Sequence, residues 1–155
     1  MSNEVKTGLN KVVATQGLLY TKLHQYHWYL QGPNFFALHE KFEEMYNQTT
    51  ADFDEVAERL LTIGGEPYAT LSEFIEHSVI SEDVTNKGLS EPEMVKSSVK
   101  DLKAYAKLLG EVVKTTDDAG DDVSNDLVIA VKAGVEKDIW MLQAFLDNDA
   151  TEPVE

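Results

Sequence analysis

One short break decides how the first half of this chain can fold. From Asn3 to Ile63 apolar residues recur at helical spacing, and the one strong interruption is Gly32-Pro33-Asn34. Proline cannot continue a helix and pushes the residue before it out of the helical region, so one helix ends there and another begins. Long helices joined by so short a turn fold back on each other as an antiparallel hairpin. The first is expected from about Asn3 to Gln31, capped by Asn3 with Glu4 just inside, and with Val5, Leu9, Val12, Leu19, Leu23, Tyr26 and Leu30 on its buried face. The second is expected from Phe35 to Ile63, burying Phe35, Leu38, Phe42, Met45, Val56, Leu60 and Ile63, with Gly64-Gly65 as its stop.

A long connection follows, from Glu66 to Ser90, with a short helix at Thr70–His77. A crossover of that length suits a bundle whose third helix starts back at the opposite end. The third helix is expected near Ser90, where Ser90 or Glu91 caps, Pro92 lies in the first turn and Glu93 completes a capping box. It runs through Val95, Val99, Leu102, Ala106, Leu109 and Val113, and the segment Thr115–Asp122 breaks it. The fourth runs from Val123 to Leu146 through Leu127, Val131, Val135, Ile139, Leu142 and Phe145, and residues 149–155 read as a disordered acidic tail. No strand pattern competes. The expectation is all-α: one four-helix bundle domain with a short extra helix between helices two and three.

Charge narrows the function. Against 28 acidic residues stand 13 basic ones, a formal net charge of −15, and Arg59 is the only arginine. Such a surface repels nucleic-acid phosphates and anionic lipids and gathers cations. With no cysteine, disulfides and thiolate metal sites are excluded. No apolar run reaches the ~18 residues of a membrane span, and the first residues lack the apolar core of a secretion signal, so a soluble cytoplasmic protein is expected.

The hairpin carries the chemistry. His27 and His39 lie equally far from Pro33 on opposite sides, so the two imidazoles fall at the same height and can face one another. Glu43 follows His39 by one helical turn, and Glu58 follows Asp54 likewise. At about 100° per residue, His39, Glu43, Asp54 and Glu58 share one side of the second helix. Along the axis they form two clusters, because Glu43 to Asp54 spans roughly 16 Å at about 1.5 Å per residue. One ion with ligand bonds of about 2.0 to 2.6 Å cannot reach both clusters. Either the clusters are unrelated, or a second copy, packed antiparallel about a two-fold axis, brings its far cluster to the near cluster of the first. Mixed imidazole and carboxylate donors suit iron, zinc or manganese better than calcium or magnesium.

Each feature also has a plainer reading. A single histidine in a helix is more often a packed, hydrogen-bonded one; His39 with Glu43 can be a solvated face, and Asp54 with Glu58 an acidic pair beside Arg59. Trp28 and Trp140 can be packing residues, or electron donors near an oxidising metal, and His24 lies one turn from Trp28 as outer support. Asp117, Asp122 and Asp126 can cap the fourth helix, or form a carboxylate ring around a symmetry axis. No histidine has a glutamate three residues before it, so the Glu-x-x-His pattern of di-iron sites buried within one bundle is missing.

His27-Trp28, Gly32, Phe36, Leu38-His39-Glu40, Asp54-Glu55-Val56-Ala57-Glu58-Arg59, Gly64-Gly65, Gly120-Asp121-Asp122 and the Trp140 helix together resemble the Dps family, the miniferritins named as DNA-binding proteins from starved cells. The resemblance covers nearly the whole chain. It implies four-helix subunits assembled from two-fold dimers into a hollow dodecamer of 23 symmetry. It places iron at ferroxidase centres between subunits, with His27, His39 and Glu43 from one copy and Asp54 and Glu58 from its partner, zinc being a substitute. The family usually has aspartate where this chain has Glu43, which keeps the charge and adds one methylene. The resemblance further implies a pore at Asp117, Asp122 and Asp126 that admits iron, and oxidation of Fe(II) by hydrogen peroxide with storage of ferric mineral. Direct DNA binding does not fit: family members that bind DNA commonly use a lysine-rich tail, whereas here Lys6 and Lys11 fall inside the first helix and the C-terminus is acidic. The competing functions are a DNA-compacting protein and a non-catalytic, zinc-holding helical cage.

Overall fold

In the computed structural model, which describes residues 2–154, helices account for every regular element. They are α1 (Asn3–Tyr29), α2 (Phe35–Thr62), α3 (Leu71–His77), α4 (Glu91–Asp118) and α5 (Asp122–Phe145), with one 3-10 turn at Val84–Gly88. The chain is all-α, as the periodicity requires. α1 packs along α2, α4 along α5, and α1 against α4, closing a four-helix bundle.

The expected core positions of the first helix, Val5 through Leu30, are all buried, as are Leu38, Phe42, Met45, Val56 and Leu60 of α2. Phe35, Ile63, Ala106, Val113 and Leu127 are only half-buried at the margin of the core, and Phe145, at the end of α5, is exposed. Each fully buried residue of this size contributes about 1.5–3 kcal/mol relative to exposure, which offsets the weak helix propensity of Gly8 and Gly17. Gly17 has its own use. A Cβ there would lie 2.6 Å from the Phe74 ring, so its absence lets α3 seat Phe74 on α1.

Helix ends depart from expectation in ways the hydrogen bonds explain. Ser2, not Asn3, caps α1, its hydroxyl accepting from the Glu4 amide at 3.1 Å. The Ser90–Glu93 capping box of α4 is present as read. α4 continues to Asp118, through the first half of the expected break. Asn125 makes this tolerable, donating from Nδ2 to the Val113 carbonyl at 2.9 Å and to Thr116 Oγ1 at 3.1 Å. Gly120, at φ +68°, then ends the run, and Asp121 caps α5 through the Ser124 amide.

The crossover is tied down where it passes α1. Lys22 donates to the Ser81 carbonyl and pairs with Asp101, both at 2.6 Å, and Gln25 donates to the Asp83 carbonyl at 3.1 Å. The acidic end, expected to be disordered, makes contacts of its own. Gln143 and Lys103 both donate to the Glu152 carbonyl, and Val154 packs on the core.

Candidate metal centre

The hinge residues Gly32 to Asn34 fold α2 back along α1 and bring His27, in the last turn of α1, beside His39, in the second turn of α2. The two rings stack with centroids 3.6 Å apart and planes 10° from parallel. His27 Nδ1 lies 2.8 Å from the His39 carbonyl oxygen, and His39 Nδ1 lies 2.8 Å from the His27 carbonyl oxygen. A carbonyl only accepts, so each Nδ1 must carry the hydrogen. In the neutral rings Nε2 is then a lone-pair donor, the tautomer a metal requires. The His27 carbonyl is one of the four at the end of α1 that lack a helical partner, and the His39 ring satisfies it.

Aromatic rings fix this pair. Phe35 stacks near the His39 ring at 4.8 Å, and Tyr46 meets the His27 ring edge-on at 5.2 Å. Tyr46 also points its hydroxyl at Glu43, 3.4 Å from Oε1. Desolvation first, then the charge and hydrogen bond of Glu43, push the Tyr46 phenol above its usual range. His24 lies behind Tyr46, stacked on it at 3.7 Å, with Nδ1 donating to the Tyr20 carbonyl at 2.6 Å and Trp28 edge-on at 5.4 Å. His24 therefore braces Tyr46 and is not part of the stacked pair.

Glu43, Asp54 and Glu58 are all exposed on α2. Asp54 and Glu58 are exposed, as the plainer reading of an acidic pair beside Arg59 also has them, but Arg59 does not pair with either. The Arg59 guanidinium turns away to Asp121 Oδ1 at 2.9 Å and to Ser124 Oγ at 2.8 Å. Asp54 and Glu58 form no ion pair among the described residues. Nor do three His, Asp or Glu side chains of one chain come close enough to hold a metal ion, again among the described residues. The near cluster and the far cluster stay apart within one copy, as the length of α2 demands.

Comparison with known proteins decides the family. The ferritin-like domain model matches residues 6–151. A DNA protection during starvation protein of Listeria innocua is 42% identical over 151 residues, covering 97% of both chains. The X-ray structure of Dps from Listeria monocytogenes superposes with a TM-score of 0.94 at 40% identity, covering 97% of this chain and 98% of that one. Dps from Listeria innocua soaked with cobalt gives a TM-score of 0.94 at 41% identity, covering 97% of each. This chain belongs to the Dps family of ferritin-like proteins.

The other residues singled out in this Dps-family sequence lie around the α2–α5 face and the hinge end of α1. Asp117 is exposed near the end of α4, Asp122 is exposed at the start of α5, and Asp126 is exposed one turn on. Asp126 and Glu58 line opposite sides of a groove of about 510 Å³ between α2 and α5. Helix capping falls to their neighbour Asp121, which is 4% exposed. Burial pushes its carboxyl up, but hydrogen bonds from Ser124 and the Arg59 guanidinium outweigh this and hold it below the usual carboxylate range. Trp28 and Trp140 are 68% and 54% exposed, so neither is a core residue of this chain. Sequence reasoning missed Tyr46, although it follows Glu43 by three positions on the same stripe. It also missed Asp121 as the partner of Arg59, a contact no local pattern reveals.

Proposed function

We propose that this Dps-family chain is a ferroxidase and iron-storage subunit. His27, His39 and Glu43 of one copy, with Asp54 and Glu58 of a two-fold partner, bind Fe(II) as substrate in an assembly of twelve copies. The observation that supports it best is the stacked histidine pair, both rings held in the tautomer that offers Nε2, while the described residues of one chain gather too few donors to hold a metal ion by themselves. A half-site of His27, His39 and Glu43 needs further carboxylates from elsewhere, and α2 presents Asp54 and Glu58 without an ion pair among the described residues, Asp54 roughly 16 Å beyond Glu43 along the same face. The reaction balances with hydrogen peroxide: each of two Fe(II) ions gives one electron, the O–O bond breaks, and with two protons two waters form. Carboxylates favour the ferric product, and no odd electron remains to leave as hydroxyl radical.

The relatives are named for DNA protection, and this reading supplies protection without DNA contact, by consuming Fe(II) and peroxide together. Lys6 and Lys11 are committed to α1, and the net charge of −15 opposes phosphates. The deciding experiment is anaerobic Fe(II) loading followed by peroxide, read by ferric absorbance. The wild type is expected to give a rapid phase consuming two Fe(II) per peroxide. A dead or zinc-only site gives none, and that result would sink the reading.

A further inference from the structure

Glu91 is the first residue of α4 and belongs by sequence to another part of the bundle, yet it is 5% exposed and its carboxylate sits on the start of α2. It accepts from the Asn34 amide at 3.0 Å (Oε2) and 3.3 Å (Oε1), and from Asn34 Nδ2 at 3.4 Å. No basic side chain pairs with it among the described residues. α2 has no acid in its first turn and receives no side-chain cap from Asn34. A buried carboxylate without a cation is costly unless backbone donors and a helix N-terminus compensate it, and Glu91 has both. The fit is close: a Cβ on Gly32, which stands at φ +140°, would lie 2.5 Å from Glu91 Cδ and Oε1.

We propose that Glu91 is a positioning residue for the histidine pair: by clamping the start of α2 at the hinge, it sets the register in which His27 and His39 meet. This rests on the metal-site reading for its purpose, not for its geometry. The hinge is short and both rings lie equally far from Pro33, so any slip at the hinge passes directly to the stack. One residue of slip moves a ring by about 1.5 Å along the axis and turns it by about 100°. That is enough to break both 2.8 Å ring-to-carbonyl bonds. Glu91 acts through the backbone and touches neither ring.

Glu91→Gln keeps the volume but turns an amide N–H toward the Asn34 donors. Its control is Glu93→Gln, which removes the same charge two residues away in the α4 capping box, where glutamine can still accept from the Ser90 amide. On the assembled metal-free protein, exchange of each histidine ring Cε1 hydrogen, read by mass spectrometry, reports access to that ring. E91Q is expected to speed exchange several-fold at His27 and His39 and not at His77; E93Q is expected to leave all three unchanged. In Co(II) titrations followed by ligand-field absorbance, E91Q is expected to bind roughly tenfold more weakly, the lower range for loss of a group that orients a ligand. Unchanged exchange at both rings in E91Q, or an equal rise in E93Q, overturns the proposal. Wild-type protein that binds no Co(II) overturns the metal-site reading instead, and the ring exchange still decides the role of Glu91. Where E91Q fails to assemble, Glu91→Asp, with the same charge on a shorter arm, is measured in its place: faster exchange at both rings supports the clamp, and unchanged exchange overturns it.

Discussion

His27 and His39 lock each other: each ring donates its Nδ1 hydrogen to the other residue's backbone carbonyl at 2.8 Å, and the rings stack at 3.6 Å. Replacing either one removes a ligand of the proposed centre and also loosens the ring that remains. Single substitutions to alanine should therefore cost nearly as much as the pair, since groups acting as a unit are strongly non-additive. His27→Ala, His39→Ala and the double variant are each expected to lose the rapid ferric phase after peroxide addition while the assembly stays intact by light scattering. A double variant that oxidises iron at the wild-type rate would refute the ligand assignment.

Asp121 ties α2 to α5, accepting from Arg59 at 2.9 Å and capping the Ser124 amide at 3.1 Å. Its carboxyl is held below the usual range, so the folded state favours the charged form. The sign follows: its contribution to stability is complete above the unfolded value of about 3.9 and is lost as pH falls through the lower folded value. Asp121→Asn should cost about 2 kcal/mol at neutral pH, from the charge it leaves unmatched on the largely buried Arg59, since asparagine caps a helix as well as aspartate does. The variant should also lose part of the decline in thermal midpoint that is expected of the wild type below about pH 4. Thermal scans across pH check both, and parallel acid limbs for the two proteins would count against this role for Asp121.

What could be read from the sequence was whatever proline and periodicity pin down. Pro33 fixes the hinge, and the hinge fixes the common height of His27 and His39. The tautomers were not legible, because they depend on which carbonyls the rings meet. Long-range polar contacts were hidden for the same reason: Arg59 lies next to Glu58 in sequence but directs its charge to Asp121, and Glu91 caps a helix to which it does not belong. The break expected from Thr115 falls later because the amides of Ala119, Gly120 and Asp121 bond the carbonyls of Thr115, Asp117 and Thr116, and Asn125, nine positions beyond Thr116, ties the Val113 carbonyl and the Thr116 hydroxyl. Trp28 and Trp140 follow the apolar pattern of their helices closely enough to read as packing, yet both are exposed in the single chain.

Asp122 and Asp126 are exposed near the start of α5 and form no ion pair among the described residues. Asp122→Asn with Asp126→Asn should slow capture of Fe(II) by roughly tenfold at low salt, the lower range for lost electrostatic steering. The rate at saturating Fe(II) should remain that of the wild type, because neither residue is part of the histidine half-site. Stopped-flow oxidation at limiting and at saturating Fe(II) separates the two, and unchanged capture at low salt would remove these residues from the iron path.

DNA contact is the property the relatives' name suggests and the charge opposes. Neutralised phosphates supply nearly all non-specific affinity, and here 13 basic residues stand against 28 acidic ones. Duplex DNA at low salt and neutral pH is expected to run unretarded in a gel with the assembled, metal-free protein. Retardation that weakens steeply with added salt would show a basic surface that the subunit alone does not present.

A centre shared between copies can be rescued in a way that no single-chain site can. A His27→Ala, His39→Ala protein and an Asp54→Asn, Glu58→Gln protein should each be inactive alone. When the two are unfolded, mixed and reassembled, a mixed two-fold pair contains one centre missing every ligand these changes touch and one centre with all of them. Random pairing makes half of the pairs mixed, and each such pair has one intact centre of two, so roughly a quarter of wild-type activity should return. A site built within one chain would return nothing, since every chain in the mixture lacks part of it. Recovery near a quarter, scaling with the product of the two input fractions, is the expected result, and a flat zero with proven co-assembly would exclude the shared centre.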